Sequence, residues 1–355
     1  MALTQQMILE KLHEIAAPGG RMSLVEAGAV RGIEVEENSD KVVLAVEAPQ
    51  PTIAGEVRAD VEEALRNMEG VEDLAVTVLP LLTTVQPGTA AAPEEPTTWA
   101  DKIPGVRRVI AVASGKGGVG KSTVSANLAL AIAAKGHTVG LLDADIYGPS
   151  QQIMMGAESE PEGNPEGKIH PVNTVGGVKV MSFGYFVDPD QPVIWRGPML
   201  QKALEQFVGD VEWGELDFLF VDLPPGTGDV ALTLCQNVPM AGTVIVTTPQ
   251  DVALVDARKA LHMFRKLEVP VLGIVENMGA YHCPECGHVE HVFGDGGGQR
   301  TAEELDVPLL ASIPLDPAVV TGGDSGKPVV FERPDSPAGK AFDALARELI
   351  ERAAK

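Results

Sequence analysis

Gly115-Lys116-Gly117-Gly118-Val119-Gly120-Lys121-Ser122-Thr123 is a run suited to holding phosphate. Its G-x-x-x-x-G-K-[ST] spacing is that of a P-loop. The glycines let backbone N–H groups turn inward on phosphate oxygens, and a following helix adds its orphan donors and positive dipole end. Every residue from Gly115 to Thr123 is therefore expected to line an ATP site. Lys121 should lie along the β- and γ-phosphates as a catalytic cation, and the Ser122 hydroxyl should hold Mg²⁺.

Acidic residues stand where such a site needs them. Asp143 and Asp145 follow the apolar run that starts at Val139, and Asp222 ends Phe218-Leu219-Phe220-Val221. A carboxylate after an apolar strand can hold Mg²⁺ through its water shell, the role expected of Asp222. Asp145 is expected to orient the attacking water. A helix N-cap is the structural alternative for each of them. The Pro224-Pro225-Gly226-Thr227-Gly228-Asp229 stretch that follows Asp222 is stiff, then flexible, as a loop sensing the γ-phosphate would be.

Sulfur supplies the second chemistry. Cys283-Pro284-Glu285-Cys286 is a single Cys-x-x-Cys, and Cys235 is the third cysteine of the chain. One pair offers two soft thiolates, whereas a [4Fe–4S] cluster usually takes four, so two chains about a two-fold axis would complete it. His282, His288 and His291 surround the pair, which leaves Zn²⁺ open as its ligand. A redox pair is a further alternative. Cys235, within Leu232-Thr233-Leu234-Cys235, is expected to be a small buried hydrophobe.

The elements that must position these groups are legible in outline. Short apolar runs at Val109–Val112, Val139–Leu142, Phe218–Val221, Thr243–Val246 and Val271–Val275 alternate with helical patterns, beginning with the helix that opens at Val124. Such runs read as strands covered on both faces, giving an α/β fold with a doubly wound, mostly parallel sheet. Ligands then bind at the carboxyl ends of the strands, where the candidate residues fall. Ahead of this lies a small unit. Ile8, Leu12 and Ile15 share one helix face, Val57, Val61, Leu65 and Met68 another, and Val42–Val46 and Leu74–Leu79 read as strands. An α-β-β-α-β sandwich of about eighty residues is expected, near the lower size for independent folding. The Pro-, Ala-, Thr- and Glu-rich stretch between the two reads as a semi-stiff linker. The expected domains are residues 1–82, a linker at 83–104, and residues 105–355.

Composition bounds the partners. With 355 residues, 45% of them hydrophobic, the chain can bury a large core. Its 50 acidic against 27 basic residues, net −23, repel nucleic acid and anionic lipid, so neither is expected as a direct partner. The C-terminal stretch Phe342–Arg352 is amphipathic but of mixed charge, without the basic face of a membrane-surface helix. Three cysteines make no disulfide framework, the first residues lack signal-peptide character, and no apolar run reaches membrane-spanning length. A cytoplasmic location is expected.

Lys116, a second lysine inside the loop, is more than an ordinary P-loop needs. With it the loop resembles the deviant Walker A group that includes the MinD/ParA ATPases and the nitrogenase iron protein. That resemblance implies a homodimer sandwiching two nucleotides, with Lys116 reaching the partner's phosphates as a catalytic cation, much as an arginine finger does. Further runs narrow it: Asp143-Ala144-Asp145-Ile146-Tyr147-Gly148-Pro149-Ser150, Trp195-Arg196-Gly197-Pro198-Met199, Asp222–Asp229 and Glu276-Asn277-Met278 resemble the Mrp/ApbC family of iron–sulfur cluster carrier ATPases over residues 105–350. The family resemblance implies that Asn277 contacts the adenine, that Cys283 and Cys286 bind a [4Fe–4S] cluster bridging the dimer, and that apo iron–sulfur proteins receive it. Slow hydrolysis coupled to the Cys283/Cys286 pairs through the Asp222–Asp229 loop is the expected mechanism. A positioning or partition ATPase of the same fold, or a zinc-binding P-loop switch, is the alternative. The first unit resembles the MIP18-like (DUF59) domain, but Ala16-Ala17-Pro18-Gly19-Gly20 replaces its Asp-Pro-Glu motif and Ala48-Pro49-Gln50-Pro51-Thr52 its cysteine loop. Partner docking is the role expected of it.

Overall fold

The structure is a computed structural model that describes residues 4–17, 22–35, 41–48, 54–68, 70–71, 73–80, 99, 103–164, 168–174, 176–187, 197–283 and 285–354. The chain divides into two compact units. One comprises residues 1–95, 160–170 and 184–212, the other 96–159, 171–183 and 213–355. Of the expected linker, only Trp99, Ile103 and Pro104 lie among the described residues, and Trp99 and Ile103 are buried.

In the first unit, α1 (Gln5–Leu12), β1 (Val30–Val35), β2 (Lys41–Ala48), α2 (Ala54–Arg66) and β3 (Asp73–Pro80) follow the α-β-β-α-β order. The β2 strand is central, antiparallel to β1 and parallel to β3. Thr4 caps α1, its hydroxyl accepting from the Met7 N–H at 3.3 Å. The apolar faces read from spacing are the buried ones: Ile8 and Leu12 on α1, and Val57, Val61 and Leu65 on α2, close a core with Val42, Leu44, Val46, Val76 and Val78. The helices are shorter than the spacing implies, because α1 ends at Leu12 and α2 at Arg66, leaving Ile15 and Met68 to pack from the turns that follow.

The second unit is built on an eight-stranded sheet. Its elements run β4 (Val109–Ser114), α3 (Lys121–Ala133), β5 (Val139–Asp143), α4 (Gln151–Met154), β6 (Val172–Asn173), β7 (Lys179–Ser182), then α5 (Gly197–Gly209) of the first unit. They continue with β8 (Phe218–Asp222), α6 (Asp229–Asn237), β9 (Met240–Thr247), α7 (Asp251–Lys266), β10 (Val271–Glu276), β11 (Tyr281–His282), β12 (Val289–Glu290), α8 (Gly297–Glu304), β13 (Leu309–Ser312), α9 (Pro317–Asp324), α10 (Val329–Glu332) and α11 (Pro337–Ala353). Strand order is β13-β10-β9-β4-β8-β5-β7-β6, parallel throughout except where β6 meets β7. Every residue of β4, β5 and β8 is buried, which accounts for their unbroken apolar character. The α3 and α11 helices pack on each other and on the sheet, as α7 and α8 do. The amphipathic C-terminal segment belongs to this core: Phe342, Leu345, Ala346 and Leu349 of α11 are fully buried. No helix among the described residues is long and apolar enough to cross a membrane.

Candidate functional site

The P-loop joins β4 to α3, at the carboxyl end of a central strand. Gly118 and Gly120 both adopt φ of +80°, the left-handed region that a side chain resists. No side chain caps α3. Its first backbone bond runs from the Val124 N–H to the Gly120 carbonyl, so the donors ahead of it face the loop. Gly115 passes so close to the Asp256 backbone of α7 that a Cβ there would collide with it. The Ser114 hydroxyl donates to the Lys116 carbonyl at 3.0 Å, tying down the turn. The Lys116 side chain itself is half-buried and forms no ion pair among the described residues.

Behind the loop sits a buried polar cluster. Lys121 Nζ donates to Asp222 Oδ1 at 2.7 Å and to Ser122 Oγ at 3.1 Å. The same Asp222 oxygen accepts from the Ser125 hydroxyl at 2.7 Å, while Oδ2 accepts from Gln151 Nε2 at 2.9 Å. Lys121 is 6% exposed and Asp222 fully buried. Strand register explains why a second carboxylate joins them, since Asp143 pairs directly with Asp222 across β5 and β8. Asp143 Oδ2 accepts from the backbone N–H groups of Ser150 and Gln151 at 2.8 and 2.9 Å and from the Ser182 hydroxyl at 3.0 Å. Burial, then the neighbouring Asp222 charge, pushes the Asp143 carboxyl up to about 7. Asp143 thus fastens the loop between β5 and α4. Asp145, half-buried within that loop, accepts from the Gly148 N–H at 3.2 Å, and burial raises its carboxyl as well.

Two residues of this constellation, Ser125 and Gln151, carry no motif that would have announced them. Ser125 lies one helical turn beyond Lys121, and that i, i+4 spacing is the signal available for it. Gln151 reaches back to the Ser122 carbonyl at 3.0 Å as well as to Asp222, yet nothing in its surroundings marks it. Glu276 ends an apolar strand as Asp222 does, but it is spent on structure, accepting from the Gly298 N–H at 2.7 Å and the Ser312 hydroxyl at 2.9 Å. The donor set fits a hydrated Mg²⁺. Ser122 and Asp222 supply hard oxygens, and the buried Gln151 Oε1 has no hydrogen-bond partner among the described residues, as an acceptor for a metal-bound water would.

Asn277 is drawn into the P-loop. Its backbone N–H donates to the Thr247 carbonyl at 2.7 Å, and its buried Nδ2 donates to the Val119 carbonyl at 2.9 Å. Met278 follows with φ of +58°. The chain then runs through Gly279, whose N–H donates to the Ile313 carbonyl at 2.9 Å, to the hairpin of β11 and β12. Cys283 and Cys286 lie at the tip of that hairpin. The Cys283 N–H donates to the His288 carbonyl, and the Gly287 N–H to the Cys283 carbonyl, both at 2.9 Å. Backbone N–H groups, first that of Cys286 and then that of Glu285, hold the Cys283 thiol below its ordinary range. Cys283 is half-buried and Cys286 exposed.

The alternative metal ligands are scattered. His291 faces Asp295 at 3.4 Å, and among the described residues no three His, Cys, Asp or Glu side chains gather as a metal site. Cys235 is buried on α6, and burial pushes its thiol up to about 12, as suits an inert packing residue. Trp195 and Arg196 lie outside the described residues.

Comparison with known proteins agrees with this geometry. Residues 105–350 match the family model of the NUBPL iron-transfer P-loop NTPases, and residues 5–78 match a model described as an iron–sulfur cluster assembly protein. A protein of Synechocystis named iron–sulfur cluster carrier protein is 43% identical over 351 residues, covering 98% of this chain and 97% of its own. The mouse iron–sulfur cluster transfer protein NUBPL is 49% identical over 252 residues, 70% of this chain and 79% of its own. Among solved structures, a nucleotide-binding protein of Archaeoglobus fulgidus in complex with ADP superposes with a TM-score of 0.60 at 37% identity, covering 69% of this chain and 96% of that one. The cell-division ATPase MinD of Pyrococcus furiosus gives 0.51 at 25% identity, covering 69% of this chain and 98% of that one. The chain belongs to the family of NUBPL-type iron-transfer P-loop NTPases.

Proposed function

We propose that this protein is an iron–sulfur cluster carrier that binds a [4Fe–4S] cluster between the Cys283/Cys286 pairs of two identical subunits and passes it to apoproteins, with hydrolysis of ATP. One observation carries the reading. A single segment leaves the P-loop brace at Asn277 and reaches a cysteine hairpin whose sulfur is held toward the thiolate form six residues later, at Cys283. A nucleotide-dependent shift of the loop therefore has a short route to the sulfur ligands.

In the ATPase cycle, the backbone donors of Gly115–Thr123 bind the phosphates. A triphosphate competes with Asp222 for the Lys121 ammonium, and the freed carboxylate, with Ser122, holds the metal's water shell. Ser122 and Asp222 would hold Mg²⁺, which would offset the charge of the transferring group. Asp145 orients the attacking water, and the raised affinity of its carboxyl for a proton suits a group that handles protons. Lys116, which forms no ion pair among the described residues, serves the nucleotide of the partner subunit. Asn277 steadies the loop through Val119 and takes the adenine edge. Among the described residues no strong base stands apart from these carboxylates, which supports slow turnover. The Asp222–Asp229 loop remains the second route by which nucleotide state reaches the subunit pairing.

The 1–82 unit, lacking the acidic and cysteine motifs of its relatives, docks partners, the 83–104 segment links it, and 105–355 carries the ATPase. A net charge of −23 disfavours nucleic acid and anionic membranes as partners, the apolar face of α11 is buried in the protein, and the reading takes the location as cytoplasmic. Exchanging Cys283 and Cys286 together for serine tests the reading: iron binding should vanish while nucleotide binding persists. Iron retained by that variant would overturn it.

A further inference from the structure

Beside the cysteine hairpin the second unit bears a partly open cavity of about 380 Å³ that the nucleotide chemistry does not use. Its origin is plain in the backbone. Segment 280–283 runs alongside the segment that leaves β13, with the Leu315 N–H donating to the Ala280 carbonyl at 2.9 Å and Tyr281 bridging Leu315 in parallel fashion. The chain then turns into α9 at Asp316, and α11 begins at Pro337, so the amino ends of two helices open on the same hollow. Cys283, His282, Leu315, Asp316, Arg333 and Pro337 are among the residues that line it.

Two charged side chains line this cavity, Arg333 exposed and Asp316 half-buried. Arg333 forms no ion pair among the described residues, Asp316 included, although both line the same cavity. Asp316 spends one oxygen on the Ala318 N–H, at 2.8 Å, as the α9 cap. A cation and an anion that face one space without neutralising each other suit a ligand carrying both signs. The volume lies near the small end of the range for small-molecule sites, roughly 300–1,000 Å³. The remaining distinctive group is the Cys283 thiol, half-buried on the same wall.

We propose that this cavity binds a small zwitterionic thiol, of amino-acid to tripeptide size, with its carboxylate on Arg333, its ammonium on Asp316 and its sulfhydryl beside Cys283. Arginine recognises a carboxylate by charge-assisted hydrogen bonds, often in bidentate form. Binding needs no iron. Where the cluster reading also holds, the bound thiol would stand beside a sulfur that would ligate the cluster, a consequence that rests on that reading.

The test uses the full-length protein stripped of metal. Under a phosphine reductant, equilibrium dialysis with glutathione and with L-cysteine should show saturable binding of one molecule per chain. Arg333→Leu should weaken it at least about tenfold, Arg333→Lys should recover part of the loss, and 2-mercaptoethanol should not compete. Position is read separately, without reductant. Oxidised glutathione should form a mixed disulfide on Cys283, the thiolate attacking one sulfur and releasing one molecule of glutathione, faster than neutral hydroxyethyl disulfide does. Peptide mass mapping should place the adduct on Cys283 rather than Cys286, and Arg333→Leu should abolish the advantage of the charged disulfide. Absence of saturable binding, unchanged binding in Arg333→Leu, or an adduct placed on Cys286 would each overturn the proposal. Since no iron is present, failure here leaves the cluster assignment standing, and failure to load iron leaves this result standing.

Discussion

Asp222→Ala separates the two jobs proposed for the buried carboxylate. In the folded chain Asp222 neutralises Lys121 at 2.7 Å, with the lysine 6% exposed and the aspartate fully buried. Removing one partner of a buried ion pair costs about 3–5 kcal/mol, because the other charge is left uncompensated. Ser125 Oγ and Gln151 Nε2 also lose their acceptor. Urea unfolding of the variant should therefore show a loss of about 3–5 kcal/mol. Nucleotide binding should move the opposite way when metal is withheld. A phosphate must displace Asp222 from Lys121 in the wild type, whereas in the variant the ammonium is free. If only about 1.4 kcal/mol of the released pairing energy reappears as affinity, ATP in EDTA binds about tenfold more tightly. Mg²⁺ should then add little, since the carboxylate that holds its water shell is gone. Titration with a fluorescent ATP analogue, in EDTA and in excess Mg²⁺, reads both effects. Weaker binding than wild type in EDTA, or an unchanged response to Mg²⁺, would refute the competition argument.

Other substitutions probe the remaining parts. Asn277→Ala leaves the Val119 carbonyl buried without its donor, and should cost about 1–3 kcal/mol of stability and about tenfold in nucleotide affinity, read by urea unfolding and by titration. Lys116→Ala should lower steady-state hydrolysis at least about tenfold with ATP affinity nearly unchanged, as expected of a cation that acts on the transferring group; unaltered turnover would remove its proposed role. For Asp143, the carboxyl raised to about 7 means that the folded chain holds a proton the unfolded chain has already lost. Its contribution is therefore most favourable below about pH 4 and is lost as pH rises toward 7. Asp143→Asn should flatten that part of the profile of unfolding midpoint against pH between 5 and 8, and a profile parallel to wild type would contradict the burial argument.

Local patterns made much of this site legible in advance. The strand, the glycine-rich turn and the helix of the P-loop are contiguous, so their types and spacing suffice, and Asp222 reveals itself by ending an apolar strand. Pairing of Asp143 with Asp222 depends on β5 and β8 lying side by side, which only the strand order decides. Gln151 is harder still. It meets Ser122 and Asp222 across 29 and 71 residues of sequence, and a glutamine at the start of a four-residue helix has no periodic signature. Asn277 was legible through the family resemblance, but its bond to Val119 spans 158 residues and depends on the fold. The amphipathic face of α11 showed in its spacing, though its packing partner α3 did not. Nor did the spacing show that residues 160–170 and 184–212 would group with the N-terminal unit.

Anaerobic reconstitution with iron and sulfide, followed by metal analysis and solution mass of the same sample, addresses the central claim most directly. A cluster shared by two cysteine pairs predicts about two iron and two sulfide per chain, in a particle of two chains. Loading in a single chain, or one zinc per chain with no iron taken up, would contradict it.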